Sequence, residues 1–181
     1  MDRTDGYAPG AAFGAEVLKE GDKWTLVLVR ELRHPPTKVW AALTDPAQLR
    51  EWAPFDPDRD LGRVGPAKLS TVGVPTPQVA DSRVTRADRP RLLEMSWGPQ
   101  DLRWELAPLP TGTRLTLWHN IDRAFIAMGA SGWHICFDVL DHHLAGRPLG
   151  RMVGPAVMKF EGWQRLNAEY AAQLDVKDKS R

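Results

Sequence analysis

The sequence predicts an α+β domain in which one strand, a pair of short helices and a long antiparallel meander precede two C-terminal helices. Three observations predict it. The tract His34–Trp52, HPPTKVWAALTDPAQLREW, reads as two short helices placed directly after an apolar strand. Between Gln78 and Asn120, runs of about seven residues are joined by connections of about three to five turn residues, as antiparallel hairpins require. Beyond Asn120 the apolar period changes from about 2 to about 3.6 residues, the mark of helices. That order suits a container better than a Rossmann-type enzyme.

Each element has its own signal. Residues 1–22 are rich in Gly, Ala and charge without strong periodicity, and are expected to be a flexible tail able to add a short edge segment. Trp24–Arg33, with its Val and Leu content, reads as the first strand. Pro35-Pro36 ends it, because proline brings no N–H to a ladder and pre-sets the backbone for a helix start. Val39, Trp40 and Leu43 then fall at helical spacing. Asp45 is read as the N-cap of a second short helix, Pro46 as its first residue and Gln48 as the capping-box partner. Leu49 and Trp52 are its apolar anchors.

Asp56–Gly65 is turn-rich, with at most a short strand over Arg59–Val64, and Lys68–Val72 is a further short strand. The meander then runs through Gln78–Arg86, Arg91–Trp97, Asp101–Ala107 and Thr113–Asn120. Leu102, Trp104 and Leu106 alternate with Arg103 and Glu105, which implies one buried and one wet face. The same alternation puts Leu93, Met95 and Trp97 on the buried face, together with Leu115, Leu117 and His119.

Trp133, Phe137, Leu140 and Leu144 define a helix over Ser131–Ala145 with Ser131 as N-cap, broken by Gly146–Gly150. A second helix runs from Pro155 to Leu174 with Trp163, Leu166, Tyr170 and Leu174 on one stripe. Gly162 weakens it, consistent with something packed close. The expected organisation is a core domain over 23–146, a helical extension of the same domain over 147–175, and a disordered tail over 176–181.

Composition excludes several classes of function. With 24 basic and 23 acidic residues and a net charge of +1, no broad field favours nucleic acid or an anionic membrane. One cysteine, Cys136, excludes an intramolecular disulfide and fits a reducing compartment. No signal-peptide pattern opens the chain and no apolar run approaches the ~20 residues of a membrane helix, so a cytoplasmic location is expected. No GxGxxG, GxxxxGK[ST] or CxxC pattern occurs, and no cofactor is expected. The arginines at 83, 86, 89 and 91 are read as blunting a sheet edge, not gripping phosphate.

Three motifs carry a family resemblance: PPTKVWAALTDPAQLREW after the first strand, LRWELAPLPTGTRLTLWHN across the last hairpin, and GWHICFDVLDHHLAG opening the long helix. Together they resemble the START-like SRPBCC superfamily, of the birch-pollen-allergen type, in its bacterial branch similar to activators of the Hsp90 ATPase. The likeness covers residues 24–145, and 147–174 looks like an extension found in some members. It implies the helix-grip fold, a curved antiparallel sheet wrapped around the long C-terminal helix with a cavity between them. In that family the cavity takes apolar or amphipathic small molecules, and some branches are cyclases, dehydratases or hydrolases.

A cavity of that kind would be lined by Met95, Trp97, Trp104, Leu117 and His119 of the sheet and by Trp133, Phe137 and Leu140 of the helix. The alternative is a core filled by these same large side chains. His119 titrates near neutrality and, at a strand end beside Asn120, can orient a ligand or act as acid/base; the commoner role is a hydrogen-bonded structural histidine. An enzyme would need a second polar group, Glu105 or Asp122, within reach of it, and no catalytic residue is assigned. His134, Asp138 and His142 recur every four residues, which suits a polar inter-helix face far better than zinc. Cys136 is read as structural, and Asp56, Asp58 and Asp60 as a solvated turn rather than a calcium loop. The expected partner is a small apolar ligand. The helix after Pro155 also offers a homodimer surface, and a chaperone partner rests on the family name alone.

Overall fold

The structure, a computed structural model, describes residues 6–174. Residues 1–5 of the expected N-terminal tail and the expected tail 176–181 lie outside them. Eight antiparallel strands form one sheet: β1 (Ala15–Glu20), β2 (Lys23–Leu32), β3 (Phe55–Pro57), β4 (Gly65–Thr71), β5 (Gln78–Asp88), β6 (Leu92–Trp97), β7 (Gln100–Leu109) and β8 (Gly112–Asn120). Their order is β1-β2-β8-β7-β6-β5-β4-β3, so the chain's first strands close against its last and the meander runs back to the far edge. Helices α1 (Pro36–Thr44) and α2 (Pro46–Leu49) follow β2, α3 (Ile126–Leu144) follows β8, and α4 (Glu161–Gln173) ends the described chain. This is the α+β helix-grip arrangement, with the extra helix.

The period-2 pattern places the inner face of the sheet as expected. Leu93, Met95, Leu102, Trp104, Leu106, Leu115, Leu117 and His119 are all buried, and Trp97 is half-buried. The register confirms the shared face: Trp104 pairs with Leu93 on one side and with Leu117 on the other, and Leu102 pairs with Met95 and His119. A bulge in β5 between Val84 and Arg86 leaves that face unchanged for β6, β7 and β8.

The helix pair forms where its signals lie. Pro35 caps α1 with extended backbone, and the Asp45 carboxylate accepts from the Ala47 N–H at 3.0 Å. Trp52 is fully buried and its indole N–H donates to the Ala42 carbonyl at 2.9 Å, tying α2 to α1. Gln48 does not complete a capping box. Its side-chain oxygen accepts instead from His143 of α3 at 3.0 Å, a bond between distant elements that outweighs the local one.

Four further expectations are corrected. No strand forms over 59–64: the Arg59 guanidinium donates to the carbonyls of Asp60, Arg63, Gly65 and Pro66 and so holds the segment as a loop, while the third strand is Phe55–Pro57. Helix α3 begins at Ile126, not Ser131, because Ile126 and Ala130 are fully buried and their burial offsets the helix cost of Gly129 and Gly132. Ser131 is therefore inside the helix, where its hydroxyl donates to the Ala127 carbonyl at 2.8 Å. Helix α4 begins at Glu161, after a short 3₁₀ turn over Val157–Lys159, rather than at Pro155.

The N-terminal segment supplies the short edge strand open to it and is otherwise held against the fold. Residues 15–20 form the edge strand β1, and residues 7–13 are strapped across α3 and α4. The Tyr7 hydroxyl donates to Asp138 at 2.5 Å, and the Ala12 N–H donates to Glu169 at 2.8 Å. The Phe160 ring and Pro9 both sit against Gly162, where an added Cβ would lie 2.6 Å from Phe160 and 2.7 Å from Pro9, and these are the close partners that explain glycine inside α4. Asp138 also accepts from Arg30 of β2 at 2.6 Å, so one carboxylate joins the strap, the sheet and α3.

Candidate functional site

Under the centre of the sheet the large described side chains pack on one another. Trp104 lies edge-on to Trp133 at 5.4 Å and to Trp52 at 6.2 Å, and Phe137 closes the cluster 6.2 Å from Trp104. Trp104, Leu117, Phe137 and Leu140 are at most 2% exposed and pack on one another. Of the eight residues expected to line a cavity, these four are core, and Met95, also buried, does not reach the pocket described next.

The open space lies at one end of α3. A pocket of about 320 Å³ is bounded by Trp97, Gln100 and His119 at the ends of β6, β7 and β8. Its second wall is α3, through Gly129, Gly132, Trp133 and Cys136. Its third wall is the C-terminal extension, through Met152, Val153, Gly154, Val157 and Trp163. Ile121, Phe125 and Met128 stand beside the β8–α3 connection, and the latter two are 50% and 39% exposed, so apolar surface lies open to solvent there. Thus Trp97, His119 and Trp133 of the expected set are brought together, at a different place from the one expected.

Two devices make the space. Gly129, Gly132 and Cys136 fall at i, i+3 and i+7, so α3 presents one stripe of small side chains beside its Trp133–Phe137–Leu140 stripe. A side chain built at Gly132 would meet nothing within 4 Å. The extension is held off by its own anchors: Arg151 donates to Asp56 at 2.5 Å and to the Leu49 carbonyl at 2.9 Å. Gly73 and Gly154, at φ of +77° and +83°, let the β4–β5 loop and the extension meet backbone to backbone. Sequence reading missed the extension because its wall residues are far from the meander in the chain. The small-residue stripe was visible.

His119 is fixed chemically. The Trp133 indole N–H can only donate, and it donates to His119 Nδ1 at 3.0 Å. Nδ1 therefore carries the lone pair, and Nε2 carries the hydrogen, which it donates to Gln100 Oε1 at 2.7 Å. Burial pushes the imidazole pKa down to about 4, so the ring is neutral at neutral pH with both nitrogens engaged. Glu105 points away, 3.3 Å from Arg103 on the outer face, and Asp122 accepts from the Ala124 N–H at 2.8 Å. Neither expected partner for acid/base chemistry faces His119. Burial likewise pushes the Cys136 thiol up to about 12, so it remains a neutral S–H.

Two other places were candidates. His134 lies on an inter-helix polar face, as expected, and is buried there: its Nδ1 lies 2.7 Å from the Tyr170 hydroxyl of α4, its Nε2 lies 3.6 Å from Asp138, and burial holds its pKa down to about 4. Among the described residues, no group of three or more His, Cys, Asp and Glu side chains is placed to hold a metal ion. A larger groove, about 770 Å³, opens on the outer face of the sheet beside Trp118. Its lining is charged, with ion pairs Lys23–Asp101 at 3.6 Å and Arg103–Glu94 at 3.1 Å, and it is the less suited of the two to an apolar ligand. No described helix is long and apolar enough to cross a membrane.

Comparison with known proteins gives the same architecture. No curated protein matches the sequence. Among solved structures, CalU16 from Micromonospora echinospora superposes with a TM-score of 0.66 at 23% identity, over 95% of this chain and 100% of that one. MLL2253 from Mesorhizobium loti is 26% identical with a TM-score of 0.58, over 68% of this chain and 97% of that one. An AHSA1-like protein from Aeromonas hydrophila is 16% identical with a TM-score of 0.57, over 69% and 94%. CalU16 thus matches over nearly the full chain, whereas the other two match about two thirds of it. The family profile described as Activator of Hsp90 ATPase homolog 1-like protein matches residues 33–145, from the helix pair to the end of α3, and the chain belongs to that family.

Proposed function

We propose that the protein binds a small, largely apolar molecule in the pocket between α3, the C-terminal extension and the ends of β6–β8. The observation that carries this reading is the lining: four aromatic side chains, Trp97, Phe125, Trp133 and Trp163, with two methionines and no Asp, Glu, Lys or Arg. Ligand sites are typically apolar clefts of about 300–1,000 Å³ with few polar groups, and this one falls at the small end of that range. Burial would supply about 25 cal/mol per Å² removed from water, less the cost of ordering the ligand.

Native mass spectrometry after exposure to an apolar metabolite extract tests the reading, with tryptophan fluorescence as a second readout. A retained small molecule is expected, lost in Gly132→Leu, whose side chain would occupy the open space beside α3. Recovery of nothing with unchanged fluorescence, or retention undiminished in a folded Gly132→Leu variant, overturns it.

A further inference from the structure

The strap over residues 7–13 does not line the pocket, yet it grips the pocket's far wall. Strap and extension both lie outside the residues 33–145 that the family profile matches, and they are fastened to each other. The Ala12 N–H donates to Glu169 of α4 at 2.8 Å, and Gln173 donates back to the Ala12 carbonyl at 3.0 Å. The Arg165 guanidinium donates to the carbonyls of Pro9 and Gly10. Tyr7 stacks on Phe160 at 6.2 Å, and its hydroxyl donates to Asp138 of α3 at 2.5 Å. The Phe160 N–H donates in turn to the carbonyl of Val157, which lines the pocket. Trp163, which also lines it, follows the Gly162 on which Pro9 sits.

The two ends of that wall are fastened differently. At one end Arg151, its side chain 18% exposed, donates to Asp56 and to the Leu49 carbonyl, and Gly154 rests on the Gly73 backbone. At the α4 end the fastening is the strap, of which only Pro9 and Ala12 are buried. A segment with few buried apolar contacts, held chiefly by hydrogen bonds near the surface, opens before the core does. Resting on the reading of the pocket as a binding site, we propose that the strap is its latch. Docked on α4, it holds residues 152–163 against α3; undocked, it lets that wall loosen and admits molecules to the space beside Cys136. Cys136 lines the pocket but is 3% exposed, so access to it requires the loosening. Asp138 stands two residues, about 200°, round α3 from Cys136, so the latch is anchored away from the pocket and undocking removes nothing from the lining.

The chain holds one cysteine, so alkylation of the full-length protein by iodoacetamide, followed by intact mass, reads access to Cys136 alone. Below the urea unfolding transition the rate is expected to be slow and independent of urea, because a local opening exposes little surface. Tyr7→Ala and Glu169→Ala each remove strap contacts and no lining group. Each should raise that rate about tenfold, the scale of one hydrogen bond to a charged group, and keep it independent of urea. Leu69→Ala, in β4 near the opposite edge of the sheet from β1, lowers global stability and should leave the rate below the transition unchanged. Rates unchanged in both strap variants overturn the latch. So does a rise that depends on urea and merely follows lost global stability, the result of a structural role alone. A native rate equal to that of a free thiol also overturns it, since the space would then be open with the strap docked. Native mass spectrometry that recovers no ligand overturns the binding reading instead, and the alkylation rates, which need no ligand, still decide the latch.

Discussion

Helix α3 serves two regions that differ by one turn of side-chain size. Along one stripe, Trp133, Phe137 and Leu140 pack into the buried cluster of Trp52 and Trp104. Along the adjoining stripe, Gly129, Gly132 and Cys136 line a pocket of about 320 Å³ whose far wall is the extension. The curved sheet is common to both. In this chain the place of the open space thus follows the side-chain volumes along one helix.

Removing bulk from the filled region should give the largest effect. Trp104→Ala deletes a side chain 2% exposed that touches three other aromatic rings, and is expected to cost about 3–5 kcal/mol in urea unfolding. A cost below about 1 kcal/mol would mean that the region relaxes freely and that the contrast between packed and open ends is unreal.

Next in size is the boundary between the two regions, where His119 is held neutral. Its folded pKa of about 4 lies below the ordinary 6.5, so between these values the unfolded chain binds a proton that the folded one refuses. Stability from this residue is complete above pH 6.5, falls as the pH is lowered, and levels off below about 4. The loss is about 3 kcal/mol, at about 1.4 kcal/mol per tenfold in acidity. His119→Gln, which does not titrate, should flatten the profile over that window, leaving the slope due to His134. An identical profile in the variant would show His119 to be solvated and free to titrate.

Much of the packed region was legible in the sequence, and little of the open one. Alternation fixes the inward face of β6–β8 because a half-buried strand repeats every two residues; Leu93, Met95, Leu102, Trp104 and Leu117 all followed it. Asp45 was legible because an N-cap bonds two residues away. Gln48 was not, since its partner His143 is distant in the chain, and the same holds for Tyr7 with Asp138 and for Ala12 with Glu169. The apparent tail at residues 7–20 has no pattern of its own because its order comes from these distant partners and from β2. The pocket was misplaced for the same reason: Met152 and Trp163 form its far wall through contacts that no local period encodes. GASG over residues 129–132 looked like a helix boundary, yet burial of Ile126 and Ala130 carries α3 through it.

The smallest predicted effect compares two glycines of the pocket stripe, one where an added methyl group would touch its neighbours and one where it would touch nothing. Alanine is favoured over glycine in a helix by about 1 kcal/mol. At Gly132 the added methyl group meets nothing within 4 Å, so Gly132→Ala should raise stability by about that amount in urea unfolding. At Gly129 the same methyl group would lie 3.2 Å from the Ile121 side chain and 3.6 Å from Leu26, so part of the gain goes into moving Ile121. Gly129→Ala should therefore gain less, or nothing. Because both substitutions change helix propensity equally, their difference isolates the space each methyl group enters. Equal gains would show that Ile121 yields without cost; a loss at Gly132 would show that the open side of α3 is already filled.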